Sequence, residues 1–317
     1  MMMTRAEVAQ FLLERDHFCI LTHRRPDGDT LGTAATLCRG LRQLGKTADI
    51  LENPDVTAKY KPLLDGLTKA EALTEDTLVC VDVASRTMLP AAYSHLAENI
   101  HLRIDHHGSA DSFTKWELVE PKSGACGEIV YGVLQLMQVS LDKEMAEALY
   151  TAVSTDTGCF RYGNTTANTL RVAADCVEAG ADTPRLNREL FDTNSYARLR
   201  IQGWITENTR FFRDGKLALC ALPLQVEKQL GATEDDMENI SGFPRSIEGV
   251  CMAATLRENP EGGIKISIRA IPGYDAAAIC AKFGGGGHKG AAGASLNMPL
   301  EEAARMVEQA MLSCSAL

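Results

Sequence analysis

Apolar residues in the first half of the chain come in short unbroken blocks, with helical spacing between them. Residues 5–15 repeat their apolar positions at helical intervals and are expected to form a short amphipathic helix. Phe18-Cys-Ile-Leu-Thr22 reads as a buried strand. Pro26 and Gly28 then force a turn. Leu31, Ala34, Ala35, Leu37, Leu41 and Leu44 trace one helix, capped by Asp29 or Thr30 and stopped at Gly45. Thr47-Ala-Asp-Ile-Leu51 is a second strand, Thr77-Leu-Val-Cys-Val-Asp82 a third and His101-Leu-Arg-Ile104 a fourth. Strand, turn, helix and strand in that order predict a parallel sheet. From Gly124 the spacing becomes helical, with helices expected over about 124–139, 142–154, 165–179 and 183–191.

A longer charged helix is expected over 195–213, and it reads as a connector. After Asp214-Gly215 the pattern changes to mixed short elements. Strands are expected at 216–222, 249–257 and 264–270, with helices near 225–230 and 274–283. The run Phe283-Gly-Gly-Gly-Gly-His288-Lys-Gly-Ala-Ala-Gly293 reads as a glycine loop, followed by a strand and a closing helix from Pro299. The fold class is therefore α/β: an N-terminal parallel-sheet domain over 1–192, a helical connector over 193–214 and a smaller α+β domain over 215–317.

Composition narrows the partners. With 317 residues, 45% of them hydrophobic and 23% charged, the chain suits a two-domain globular protein. A formal net charge of −10 disfavours a clamp for long nucleic acid, which normally shows a basic field. Small anionic substrates remain open, held by a metal or a local basic pocket. The ten cysteines include no Cys-x-x-Cys pair and mostly sit inside apolar runs, as expected of free thiols in a reducing cytoplasm. The N-terminus lacks a signal peptide's apolar core, and no run of 18 apolar residues is available to span a membrane.

The candidate chemistry lies at the ends of the strands. His23, Asp27 and Asp29 follow the first, Asp82 ends the third, and Asp105, His106 and His107 end the fourth. Asp156 sits where a helix gives way to the turn Thr157-Gly-Cys-Phe160. Parallel sheets gather their ligands beyond the carboxyl ends of the strands. Carboxylates converging there repel one another unless a cation intervenes. A pair of divalent ions removes that cost, and Asp and His donors without Cys point to Mn²⁺, with Mg²⁺, Fe²⁺ and Co²⁺ as rivals. In the second domain, glycine N–H groups, His288, Lys289 and Arg269 could receive a phosphate. Tyr162 and Asn164 are either contacts to a base or ribose or a helix entry with Asn164 as N-cap.

The spacing His23-x-x-x-Asp27-x-Asp29, with Asp82, Asp105-His106-His107 and Asp156, resembles the DHH phosphoesterase family. Gly284-Gly-Gly-Gly-His288-x-x-Ala291-Ala-Gly293 resembles the signature of the DHH-associated C-terminal domain. The length is similar to that of the nanoRNase branch, which also removes a phosphate from 3'-phosphoadenosine-5'-phosphate (pAp). The resemblance implies His23, Asp27 and Asp82 on one metal, and Asp29, Asp82, His106 and Asp156 on the other. It gives Asp105 an orienting role and brings His107 to the scissile phosphate, with Arg269, Gly285, Gly286, Gly287 and His288 binding substrate. Arg24-Arg25 stands where the family often has a polar residue and Asn, and Ala125-Cys126-Gly127 replaces a more hydroxyl-rich stretch.

The implied activity is two-metal hydrolysis of short oligonucleotides (nanoRNA, dinucleotides) to mononucleotides, and of pAp to AMP. Alternatives are a cyclic-dinucleotide phosphodiesterase and a catalytically inactive nucleotide-binding regulator. Short RNA, dinucleotides or pAp are the expected partners, with no long nucleic acid and no membrane. The oligomeric state is left open, a homodimer included.

Overall fold

In the computed structural model the apolar blocks of the first half are strands of one parallel sheet. The structure describes residues 1–108, 112–237 and 240–314, divided into a first unit, Met1–Thr193, and a second, Asn194–Leu317. The first unit runs α1 (Arg5–Leu13), β1 (Phe18–Leu21), α2 (Gly28–Gln43), β2 (Ala48–Leu51), β3 (Thr68–Lys69), β4 (Thr77–Val81), β5 (Leu102–Asp105) and β6 (Trp116–Val119). Helices α3 (Cys126–Leu136), α4 (Lys143–Asp156), α5 (Ala167–Glu178) and α6 (Thr183–Asn187) follow. The strand order is β3-β2-β1-β4-β5-β6, with every neighbouring pair parallel.

β1 and β5 are buried at every position. Phe18 and Ile20 enter a core shared with α1, α2 and α3. Cys19 and Leu21 point into a second core with Cys80, Leu89, Ala97 and Phe113, roofed by 3₁₀ segments at Arg86–Met88 and Ala91–Asn99. A strand covered on both faces needs apolar residues throughout, which is why its sequence is a block and not an alternation. The two strands that the block pattern missed are exceptions of a simple kind. β3 has only 2 residues, and β6 carries Glu117 in its middle.

Two expectations are corrected. Asp27, not Asp29 or Thr30, caps α2, its carboxylate accepting the Thr30 N–H at 3.1 Å. The helix expected over 195–213 ends at Asn208, and Arg210–Phe212 forms a strand. That helix belongs to the second unit, where Ile201 and Ile205 pack against Cys220 and Leu222. Its apolar face is buried there, so the charged residues that suggested a connector are its solvent side.

Helices α2 and α4 approach closely at Gly32, where an added Cβ would lie 2.4 Å from the Ala148 carbonyl oxygen. This contact brings together the helices carrying Asp29 and Asp156. Gly32→Ala is therefore expected to destabilise the protein by about 1–3 kcal/mol through overpacking. Urea unfolding at equilibrium measures it, and an unchanged midpoint would contradict the close approach.

The second unit runs α7 (Tyr196–Asn208), β7 (Arg210–Phe212), β8 (Leu217–Leu222), α8 (Leu224–Leu230), β9 (Met252–Glu258), β10 (Ile264–Ala270), α9 (Ala276–Ala281), β11 (Gly286–His288), β12 (Ala291–Leu296) and α10 (Leu300–Leu312). Its sheet is ordered β11-β12-β10-β9-β8-β7, and only β8 and β9 pair in parallel. One face, with Ile264, Ile266, Ile268, Ala292 and Ala294, packs on α9 and α10. Among the described residues no helix is long and apolar enough to cross a membrane.

Candidate functional site

Because the strands run parallel, their carboxyl ends deliver the singled-out side chains to one sheet edge. The loop after β1 carries His23 and Asp27, and the first turn of α2 adds Asp29. Asp82 follows β4, Asp105 closes β5 with His106 and His107 behind it, and Asp156 is the last residue of α4. These residues form three overlapping groups whose donor atoms lie within 4.8 Å of one another: His23, Asp27 and Asp82; Asp29, His106 and Asp156; and Asp82, His106 and His107.

Asp82 lies at the junction. Its Oδ2 is 3.6 Å from His23 Nε2, while its Oδ1 is 3.6 Å from His106 Nε2 and 3.5 Å from His107 Nδ1. His106 Nε2 is also 3.7 Å from Asp29 Oδ2 and 3.8 Å from Asp156 Oδ2, and His23 Nε2 is 3.9 Å from Asp27 Oδ1. These separations are too long for hydrogen bonds. Neighbouring donors around one cation stand about this far apart, because each lies about 2.0–2.2 Å from the ion. Asp82 Oδ1 is buried with no hydrogen-bond partner among the described residues, an arrangement that costs stability unless something else meets it. The donor set therefore fits divalent cations.

The surroundings fix each donor. His23 Nδ1 meets the Arg24 carbonyl at 2.8 Å and His106 Nδ1 the Ser123 carbonyl at 3.2 Å, so both rings turn Nε2 inward. Thr30 Oγ1 donates to Asp82 Oδ2 at 2.6 Å. Asp82 itself has φ +58, and Asp is among the few residues that tolerate this left-handed backbone. Asp29 accepts the N–H groups of Cys126 (2.7 Å) and Gly127 (3.1 Å), at the positive end of α3. Asp105 Oδ1 accepts the His106 N–H at 2.9 Å, and it meets His107 Nδ1 at 2.7 Å. Asp105 thus orients the His107 ring and leaves its Nε2 available.

The carboxylates and imidazoles of the cluster act strongly on one another. Burial and the nearby Asp82 push Asp29 well above the usual carboxylate range. Burial lifts Asp156 to about 6, against the opposing pull of His106. Burial pulls His23 and His106 down, but the carboxylates around each outweigh it and raise both to about 9. Such a cluster holds protons where it lacks cations.

In the second unit Arg269 and His288 both register against Ala291, Arg269 from β10 and His288 from the edge strand β11. Opposed residues of antiparallel strands share a face. Arg269, His288 and Ser267 therefore lie on the face opposite the α9 and α10 core, with a small side chain between Arg269 and His288. Gly286 and Gly287 are in β11, so the expected glycine loop is in part an edge strand. The reason is crowding: a Cβ on Gly285 or Gly287 would strike β12 at 2.2 or 2.6 Å.

Asn164 does not cap a helix. Thr166 caps α5, and Asn164 Nδ2 donates to Asp156 Oδ2 at 3.1 Å and to the Gly124 carbonyl at 2.9 Å. Tyr162 is 54% exposed, its ring lying over Gly158. Thr30, Ser123, Arg103 (3.7 Å from Asp105 Oδ2) and Glu128 (accepting the Gly124 N–H at 3.1 Å) support the cluster without being among its expected members. Arg103, a charge inside an otherwise apolar strand, was the one visible signal.

Two family models match the chain: the DHH family N-terminal domain over residues 17–153 and the DHHA1 domain over 217–313. The chain is 34% identical to the bifunctional oligoribonuclease and PAP phosphatase NrnA of Thermus thermophilus, covering 92% of this chain and 88% of that one. It is 25% identical to a probable bifunctional oligoribonuclease and PAP phosphatase NrnA of Streptococcus mutans, over 88% of this chain and 89% of the relative. Among solved structures, an exopolyphosphatase-related protein from Bacteroides fragilis superposes with a TM-score of 0.83 at 26% identity, covering 97% of this chain and 95% of that one. With its strand-end Asp and His residues inside the first matched region and its glycine-rich edge strand inside the second, the chain belongs to the DHH phosphoesterase family, in the form that pairs the DHH domain with DHHA1.

Proposed function

We propose that the chain is a metal-dependent phosphoesterase that hydrolyses short oligonucleotides to mononucleotides and pAp to AMP. The observation that carries this reading is Asp82, whose two oxygens face two different groups of Asp and His donors. His23, Asp27 and Asp82 would hold one divalent ion, and Asp29, Asp82, His106 and Asp156 the other. Mn²⁺ is the ion we favour for mixed carboxylate and imidazole donors. Bound there, the ions acidify water and draw charge from phosphate oxygens.

The chain's own groups supply the rest. His107, its Nδ1 committed to Asp105, keeps Nε2 to bind the scissile phosphate and deliver a proton to the leaving oxygen. In the second unit, Arg269 and His288 bind an anionic group of the substrate, helped by N–H groups of Gly285, Gly286 and Gly287. The names of the Thermus and Streptococcus relatives support both activities. The acidic net charge of −10 supports short substrates over long ones. Ten free cysteines suit a reducing cytoplasm.

The test is kcat/KM with Mn²⁺ across RNAs from the dinucleotide to a few tens of nucleotides, with pAp, a cyclic dinucleotide and pyrophosphate alongside. The dinucleotide and pAp are expected to lead, and a profile flat in RNA length would contradict the reading. Arg269→Ala and His288→Ala are each expected to raise KM for the dinucleotide by about 10-fold or more, with kcat changed far less. Loss confined to kcat would remove both residues from substrate binding.

A further inference from the structure

Three of the four donors assigned above to one metal are supported by a single stretch of chain, residues 123–127. The Ser123 carbonyl meets His106 Nδ1 at 3.2 Å. The Gly124 carbonyl accepts from Asn164 Nδ2, which also donates to Asp156 Oδ2 at 3.1 Å. The N–H groups of Cys126 and Gly127 hold Asp29 at 2.7 and 3.1 Å. The other group is supported elsewhere. His23 leans on the Arg24 carbonyl, and Asp27 and the shared Asp82 accept from Thr30.

The stretch is itself anchored by one carboxylate. Glu128 is 2% exposed, and it belongs to neither donor group. Its Oε1 accepts the Gly124 N–H at 3.1 Å and the Thr169 hydroxyl at 2.5 Å, and its Oε2 accepts Asn168 Nδ2 at 2.7 Å. The anchor is tight, because a Cβ on Gly124 would lie 2.6 Å from Thr169 Oγ1, 2.7 Å from Glu128 Oε1 and 2.8 Å from the Asn164 carbonyl oxygen.

Resting on the two-ion assignment above, we infer that Glu128 is a positioning residue that tunes one metal site and leaves the other alone. It clamps the Ser123-Gly124 peptide to α5; the carbonyl of that peptide sets the angle of His106, and the next carbonyl, that of Gly124, sets Asp156 by way of Asn164. Outer groups of this kind typically change metal affinity by about 10- to 100-fold. Here the change falls on the ion held by Asp29, His106 and Asp156. The ion held by His23 and Asp27 does not feel it.

The test is calorimetric titration of the metal-free full chain with Mn²⁺, without substrate. The wild type is expected to take up two ions per chain. Glu128→Gln keeps the shape of the side chain but sets an amide against the three donors. It should keep one binding constant and weaken the other by about 10- to 100-fold. At saturating Mn²⁺ its dinucleotide hydrolysis should return towards the wild-type kcat. Thr169→Val, which removes one bond to the carboxylate together with the capping contacts to Thr166, should weaken the same constant by a smaller factor. It keeps the question answerable should the Glu128 variant not fold. Two unchanged constants in both variants, or two constants weakened equally, would overturn the role of Glu128 and leave the two-ion assignment standing. A wild type that binds only one ion would instead overturn that assignment, and the inference with it.

Discussion

Replacing Asp82 by alanine is expected to lower kcat/KM for Mn²⁺-dependent dinucleotide hydrolysis by a factor on the order of 10³ or more, or about 4 kcal/mol of transition-state stabilisation. The two oxygens of Asp82 face different donor groups. Oδ2 looks to His23 and Oδ1 to His106 and His107, and Oδ1 has no hydrogen-bond partner among the described residues. Losing Asp82 removes the side chain that joins the His23 and Asp27 group to the group of His106 and His107. Alanine would also sit poorly at φ +58, so the substitution mixes chemistry with backbone strain. Asp82→Asn separates the two. It keeps a side chain that tolerates this backbone and removes the charge, and the rate should fall to a similar level while the urea midpoint moves less than in the alanine variant. A rate within tenfold of wild type for Asp82→Asn would end the two-ion reading.

Arg103→Met is expected to cost about 3–5 kcal/mol of folding stability, because it strands buried carboxylates without their cation. Arg103 is 1% exposed on β5. Its guanidinium lies 3.3 Å from Glu117 Oε2 and 3.7 Å from Asp105 Oδ2, and it donates to the Ala84 carbonyl at 3.1 Å. One buried cation thus ties β6, the end of β5 and the segment after Asp82. Burial alone would raise the Glu117 carboxyl, but the N–H groups of Thr114 and Phe113, together with Arg103, hold it below the usual value of 4.5. A depressed carboxyl stabilises the fold above its unfolded pKa, and that contribution is lost as the pH falls through the lower folded value. Arg103→Met removes part of it. The stability gap between wild type and variant should therefore be full at neutral pH and narrow below about pH 4.5. Urea unfolding across that range measures it, and a gap that stays constant would show that Glu117 does not feel Arg103.

These expectations differ in how far the sequence could have supplied them. Asp82 stands out in the sequence as a carboxylate ending an apolar run, and its partners stand out the same way. Arg103 was visible only as an oddity inside a strand, since its partner Glu117 sits on a strand that the apolar pattern missed. Glu128 gave no signal at all. An acidic residue near the start of a helix reads as a favourable charge for the helix dipole, and only its burial and its three donors mark it as more. The glycine run misled in the other direction. Its composition suggested a loop, but Gly286–His288 pairs with β12, and the glycines are needed because the neighbouring strand leaves no room for a Cβ.

The sequence by itself determined the parallel sheet, the positions of the strand ends and the residue types delivered there. These are local properties: apolar blocks make buried strands, and the residues after each block must emerge at the carboxyl edge of the sheet. Only the tertiary structure decided which donors face which, that Asp82 is shared, and what steadies each of them. Those relations join residues far apart in the chain, such as Asp29 to Cys126 and Asn164 to Gly124, through single hydrogen bonds. No periodicity records such a bond. It depends on where the packing of α2, α3, α4 and α5 leaves one donor and one acceptor about 3 Å apart.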